Sequence, residues 1–159
     1  MIWVKKSSVK GKPKTLLEVF YPVRSEFDEQ VEVFKWAAIA RYEFPELDML
    51  VGSLNGVRLT IGAAVKAKRA GLKKGYPDIT LDVRRGEFVG LKIEMKKAKE
   101  NGGGVLSPEQ KWWLWQLTYQ GRRAVCCYGT DQAIEEIKQY LRLPSHGKFI
   151  HNYRKGLSE

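Results

Sequence analysis

Two hydrophobic periods divide the chain. After Ser25, the residues Phe27, Val31, Phe34 and Ala38 recur at helical spacing. This predicts a helix over 26–42, opened by Ser25 and Asp28 in the form of a capping box and stopped by Pro45. A short apolar run at Met49–Leu54, closed by Asn55-Gly56, reads as a weak strand, and a second helix from Leu59 to Ala70 ends at Gly71. The period then falls to two. Ile79, Leu81 and Val83 alternate with Thr80 and Asp82, and beyond Arg84-Arg85-Gly86-Glu87 the residues Val89, Leu91, Ile93 and Met95 alternate with Gly90, Lys92, Glu94 and Lys96. That pattern is a hairpin with one apolar face. A glycine-rich loop, Asn101-Gly102-Gly103-Gly104, leads to Ser107-Pro108-Glu109-Gln110, with Ser as N-cap, Pro at the first helical position and Gln at N3. A third helix runs from there to about Gln120. Gly121 ends it, Ala124–Tyr128 reads as a strand, and Asp131 opens a last helix carrying Ile134, Ile137 and Leu141 as far as Pro144.

Helices on both sides of a small mixed sheet are the economical arrangement of these elements. One α/β domain over residues 25–144 accounts for them, between a basic N-terminal extension (1–24) and a polar C-terminal tail (145–159). No run approaches the roughly 20 apolar residues of a spanning helix, and the first twenty residues lack a signal-peptide core. The two cysteines, Cys126 and Cys127, are adjacent in an apolar run, a poor geometry for a disulfide or a metal site. They read as core positions, and the expected location is cytoplasmic, with no membrane partner.

Charge changes the picture. With 28 Lys and Arg against 18 Asp and Glu, the 159-residue chain has a formal charge of +10, which favours a polyanion as partner. Lys66, Arg69 and Lys73, with Lys74 beside them, form a basic stripe on and just past the second helix, suited to a phosphate backbone or to a solvated face. Trp112, Trp113 and Trp115 offer aromatic surface for packing, for an interface or for unpaired bases. His146 and His151 are too few and too late to form a catalytic set.

Strand register brings out candidate chemistry. Burying one apolar face requires Val83 opposite Val89, Leu81 opposite Leu91 and Ile79 opposite Ile93, with a three-residue loop at Arg85, Gly86 and Glu87. Asp78 then lies opposite Glu94 with Cβ atoms about 5 Å apart, and Lys96 follows roughly 6.6 Å along the same face. Two carboxylates this close repel unless a positive charge lies between them, and an oxygen-ligated divalent cation is the simplest solution. The competing reading makes them surface charges, one of them paired with Lys92 or Lys96.

Gly75-Tyr76-Pro77-Asp78, the hairpin, Glu94-x-Lys96 and Ser107-x-x-Gln110 resemble the PD-(D/E)XK nuclease superfamily, and within it the VRR-NUC domain of phage proteins and of a eukaryotic crosslink-repair nuclease. The match spans roughly residues 26–142, with Tyr76 where such domains often carry a small residue or Val. The resemblance implies a restriction-endonuclease-like fold, Asp78 and Glu94 as metal ligands, the Met95 backbone carbonyl as a further ligand, Lys96 as the catalytic lysine and Gln110 at the site. It also implies an acidic residue from the first helix. Glu26, Glu29 and Glu32 are available, and Glu29 is favoured because it heads the stripe Val33, Trp36 and Ala40, whereas Glu26 reads as first-turn charge and Glu32 as a partner of Lys35. The implied activity is Mg²⁺- or Mn²⁺-dependent hydrolysis of DNA phosphodiesters, with branched or Holliday-junction DNA as substrate and a homodimer as the active form. The alternatives are a non-catalytic basic nucleic-acid-binding protein and an RNA nuclease of the same fold.

Overall fold

The computed structural model describes residues 23–53 and 59–147. Nearly all of the N-terminal extension, the Asn55-Gly56 turn and most of the C-terminal tail, including His151, lie outside the described residues.

Helix α1 spans Glu26–Ala40, and its capping box is complete: the Ser25 hydroxyl accepts from the Asp28 N–H, and the Asp28 carboxylate accepts from the Ser25 N–H. A 3₁₀ turn at Pro45–Met49 leads into β1 (Leu50–Gly52). Helix α2 (Ile61–Arg69) is capped by Thr60, and the chain turns away at Gly71 with φ +100°. Strands β2 (Ile79–Leu81) and β3 (Leu91–Lys96) follow, then α3 (Pro108–Tyr119), β4 (Arg123–Tyr128) and α4 (Thr130–Arg142). No helix among the described residues is long and apolar enough to cross a membrane.

The strands form one mixed sheet in the order β1-β2-β3-β4. The first two pairings are antiparallel, and β3 to β4 is parallel, joined through α3 as a β-α-β crossover. Ile79, Leu81, Leu91, Ile93 and Met95 pack with Val33 and Ala37 of α1 and with Ala133, Ile137 and Tyr140 of α4 in one apolar core. Burial of each large side chain there contributes roughly 1.5–3 kcal/mol. Helix α3 covers the opposite face. This is the helix-flanked mixed sheet expected from the sequence.

The hairpin register holds at Ile79↔Ile93 and Leu81↔Leu91 but not at its tip. Arg85 pairs with Phe88, so Gly86 and Glu87 make a two-residue turn in place of the expected three-residue loop, and Val89 donates to Gly121 rather than meeting Val83 in the ladder. One extra residue therefore lies on the β2 side, as in a bulge. The cause is polar. Arg85 is buried and ion-paired to Glu46, while Gly86, at φ +55°, donates to the Pro144 carbonyl. Tethering Arg85 and Gly86 sets the turn against the simple apolar alternation. The second departure is that the polar face of β3 is not solvated, for all six of its residues are buried.

Candidate active site

Asp78 arrives in the sheet from Pro77, which is fully buried. The Asp78 carbonyl accepts from the Ser53 N–H at 2.7 Å and from the Gln30 side-chain amide at 3.3 Å, so β1 and α1 both fix its backbone. Its carboxylate accepts from the Met95 N–H at 2.9 Å. Across the strand pair, one Glu94 carboxylate oxygen accepts from Lys96 Nζ at 3.1 Å and from the side-chain amide of Gln110. Gln110 fills both roles open to it, since its own oxygen also accepts the Ser107 N–H at 2.9 Å and so closes the capping box of α3.

These groups are shielded from water. Glu94 is 2% and Lys96 3% exposed, and Asp78 is buried beside them. The acids are therefore not surface charges, although the pairing of Glu94 with Lys96 is the one the competing reading named. Nor does Lys92 neutralise the carboxylate pair: its ammonium is bonded to Asp82 at 3.0 Å and Thr80 at 3.2 Å. Burial raises the Asp78 carboxyl above the ordinary aspartate range, against the pull of the Met95 N–H and Lys96. Burial, reinforced by the charge of Asp78, pushes Glu94 up to about 8. Burial alone would lower Lys96, but Glu94 and then Glu26 outweigh it and hold the ammonium above its usual value.

The acid that α1 brings to this cluster is Glu26, which lies 3.4 Å from Lys96 Nζ. Glu29, the residue favoured by the helical stripe, is committed elsewhere: its carboxylate accepts from the Thr130 N–H and hydroxyl at the start of α4. The expectation for Glu29 is corrected by that bonding, which follows from its inward direction. An inward side chain one turn into α1 meets the neighbouring helix, whereas the first helical residue reaches around the sheet end. Glu32 pairs with Lys35 as expected. A usable signal for Glu26 was topological, since sites on α/β sheets gather at carboxyl ends of strands and α1 begins beside the ends of β3 and β4.

Lys66, Arg69 and Lys73 are exposed, on or just beyond a helix with no buried residue. Lys74 is exposed as well but pairs with Glu109 at 2.7 Å. Trp113 turns inward, edge-on to Tyr76 and donating to the Lys74 carbonyl, while Trp112 and Trp115 are exposed.

The donor set is oxygen-only and anionic, the chemistry a hard divalent cation takes with several retained waters. Among the described residues no three or more His, Cys, Asp and Glu side chains are grouped so as to hold a metal ion. The available donors are therefore the Asp78–Glu94 pair, with Glu26 just beyond Lys96.

The VRR-NUC domain family matches residues 36–131 of this chain. A solved structure described as a VRR_NUC domain protein is 34% identical, superposes with a TM-score of 0.63, and matches over 77% of this chain and 92% of that one. The chain belongs to the VRR-NUC domain family. No curated protein matches it. VRR-NUC domains form a nuclease family that typically uses divalent metals. The family match begins within α1, after both Glu26 and Glu29, so it is the geometry here that distinguishes the two. Within the VRR-NUC match lie Asp78, Glu94, Lys96 and Gln110, the buried cluster on the polar face of β3.

Proposed function

We propose that this VRR-NUC protein hydrolyses DNA phosphodiesters with Mg²⁺ or Mn²⁺, and that Asp78, Glu94 and the Met95 carbonyl would hold the ion, with the Glu26 charge close by across Lys96. The carrying observation is the pair of facing buried carboxylates with a lysine bonded to one of them, in a chain of a nuclease family. Two acids whose protons are hard to remove in the bare protein are a site built for a cation.

A bound divalent ion supplies Lewis-acid polarisation of the phosphate and a coordinated water of lowered pKa. Lys96, kept protonated by its two carboxylate neighbours, stabilises the negative charge that develops on the phosphate oxygens and orients the attacking water. Gln110 holds Glu94 in place from α3. Attack of the water oxygen on phosphorus with departure of the 3′ oxygen, which takes up a proton, leaves a 5′-phosphate and a 3′-hydroxyl. Exposed Lys66, Arg69 and Lys73 contact the flanking phosphate backbone.

The active form is a homodimer acting on branched DNA. Helical geometry supports an interface on α3: Gln110, Leu114 and Leu117 share the sheet-facing side, whereas Trp112, Trp115 and Tyr119 project from the opposite side and are exposed. A stripe on the side away from Glu94 suits a second copy better than a base stacked near the scissile phosphate, and two sites related by a two-fold axis suit a four-way junction.

The test incubates purified protein with linear, flapped and four-way DNA and with RNA, with and without Mg²⁺ or Mn²⁺, alongside light scattering. Metal-dependent cutting of DNA, fastest on the junction and by a dimer, is the expected result. Binding without cutting under every condition defeats the nuclease reading. A monomer that cuts linear and four-way DNA at equal rates defeats the dimer and the branch preference alone.

A further inference from the structure

The loop between β3 and α3 packs against a group at the end of the strand it leaves. Gly102 caps the Lys99–Asn101 turn at φ +93°, and Gly103 follows at φ +55°, conformations that residues with side chains rarely adopt. The Gly103 N–H donates to the Ala98 carbonyl at 3.1 Å, so the chain doubles back over the end of β3. Gly104 then rests on Lys96. A β-carbon at Gly104 would lie 2.9 Å from Lys96 Cδ, closer than real β-carbons come, and 3.3 Å from a Glu26 carboxylate oxygen, a tight contact. Gly104 itself does not have a positive φ, so contact, not conformation, requires the glycine there.

We propose that Gly104 is a positioning residue whose bare backbone closes over the Lys96 stem and confines its ammonium between Glu94 and Glu26. Lysine is flexible about four side-chain bonds, and a free Lys96 would sample rotamers leading away from the carboxylates. The strand supplies the Cα and the two acids attract the head group, but the stem is restrained by the loop. The proposal rests on the nuclease reading for its catalytic consequence and on the packing alone for its structural one.

The experiment compares Gly104→Ala with Val105→Ala, whose side chain is 86% exposed in the same loop, in the full chain. Val105→Ala cuts like the parent. Gly104→Ala keeps its circular dichroism and its KM for DNA, and its rate at saturating DNA falls about 10- to 100-fold, the scale of an ångström-sized displacement of a catalytic group. Melting temperatures supply the second readout. Gly104→Ala lowers the melting temperature of the parent by a few degrees but leaves that of Lys96→Ala unchanged, because removing the stem clears the contested space. An equal loss in both backgrounds, or cutting at the parent rate, overturns the proposal. If the parent cuts no nucleic acid, the nuclease reading fails, and the melting comparison still decides whether Gly104 holds Lys96.

Discussion

Glu29 and Thr130 lock α1 to α4: the buried Glu29 carboxylate accepts from the Thr130 N–H at 2.9 Å and from its hydroxyl at 2.5 Å. A carboxylate at a helix N-terminus satisfies an otherwise orphan donor and complements the helix dipole. One turn earlier, Glu26 is carried on the same anchored helix to Lys96. Two glutamates three residues apart therefore have separate roles, one in holding the fold and one at the carboxylate cluster.

That separation is measurable. Glu29→Ala leaves the Thr130 N–H buried without its partner, while the Thr130 hydroxyl keeps the residue-29 backbone carbonyl at 3.1 Å, and costs about 1–3 kcal/mol in urea unfolding. Glu26→Gln stays within about 0.5 kcal/mol of the parent, as for a substitution at a half-exposed position, and instead weakens Mn²⁺ binding in calorimetry. The reverse pattern would return Glu29 to the metal site.

Asp78→Asn, Glu94→Gln and Lys96→Ala each reduce cutting by at least about 10²-fold, the range of a lost electrostatic or acid–base contribution, with far-UV dichroism retained. In EDTA at a pH above 8, where Glu94 is ionised, gel shifts with Asp78→Asn and Glu94→Gln show DNA affinity equal to or above the parent's, because each removes a negative charge that repels phosphate. Undiminished cutting by Glu94→Gln would remove that residue from the mechanism.

The Glu94 shift gives metal-free stability a defined pH slope. Its folded-state value, about 8, lies above the ordinary 4.5, so between those values the folded protein binds more protons than the unfolded chain, and stability falls as pH rises. Each unit of such a difference carries about 1.4 kcal/mol. Melting in EDTA is accordingly higher at pH 5 than at pH 8 by more in the parent than in Glu94→Gln, and Mg²⁺ narrows the gap by stabilising the ionised pair. Identical slopes for parent and variant would refute the assignment.

The basic stripe is tested by salt. Alanine at Lys66, Arg69 or Lys73 weakens binding to all DNA sequences and flattens the dependence of log K on log salt by roughly one contact each. Lys74→Ala changes the slope less, since that ammonium is shared with Glu109. A solvated face leaves all slopes at the parent value.

The local elements were legible in the residues. Capping boxes at Ser25–Asp28 and Ser107–Gln110 and the glycine stop at Gly71 each act over a few residues, and the structure reproduces them; the alternation in β3 placed the strand but not its burial, which is complete on both faces. Register was legible wherever an apolar pair had to stay buried, which is why Ile79 meets Ile93 and brings Asp78 and Glu94 face to face. It failed at the hairpin tip, where Arg85 answers to Glu46, thirty-nine residues away.

By itself the sequence determined the order of elements, the pairing of β2 with β3 and hence the juxtaposition of two acids and a lysine, because short-range periodicity and the cost of exposing apolar side chains leave little choice. Only the tertiary structure decided which glutamate of α1 meets Lys96, that α3 seals the polar face of β3, and that a bare backbone at Gly104 lies on the lysine stem. Those outcomes depend on where separate elements come to rest against one another, a matter of long-range packing that no spacing within a single helix or strand records.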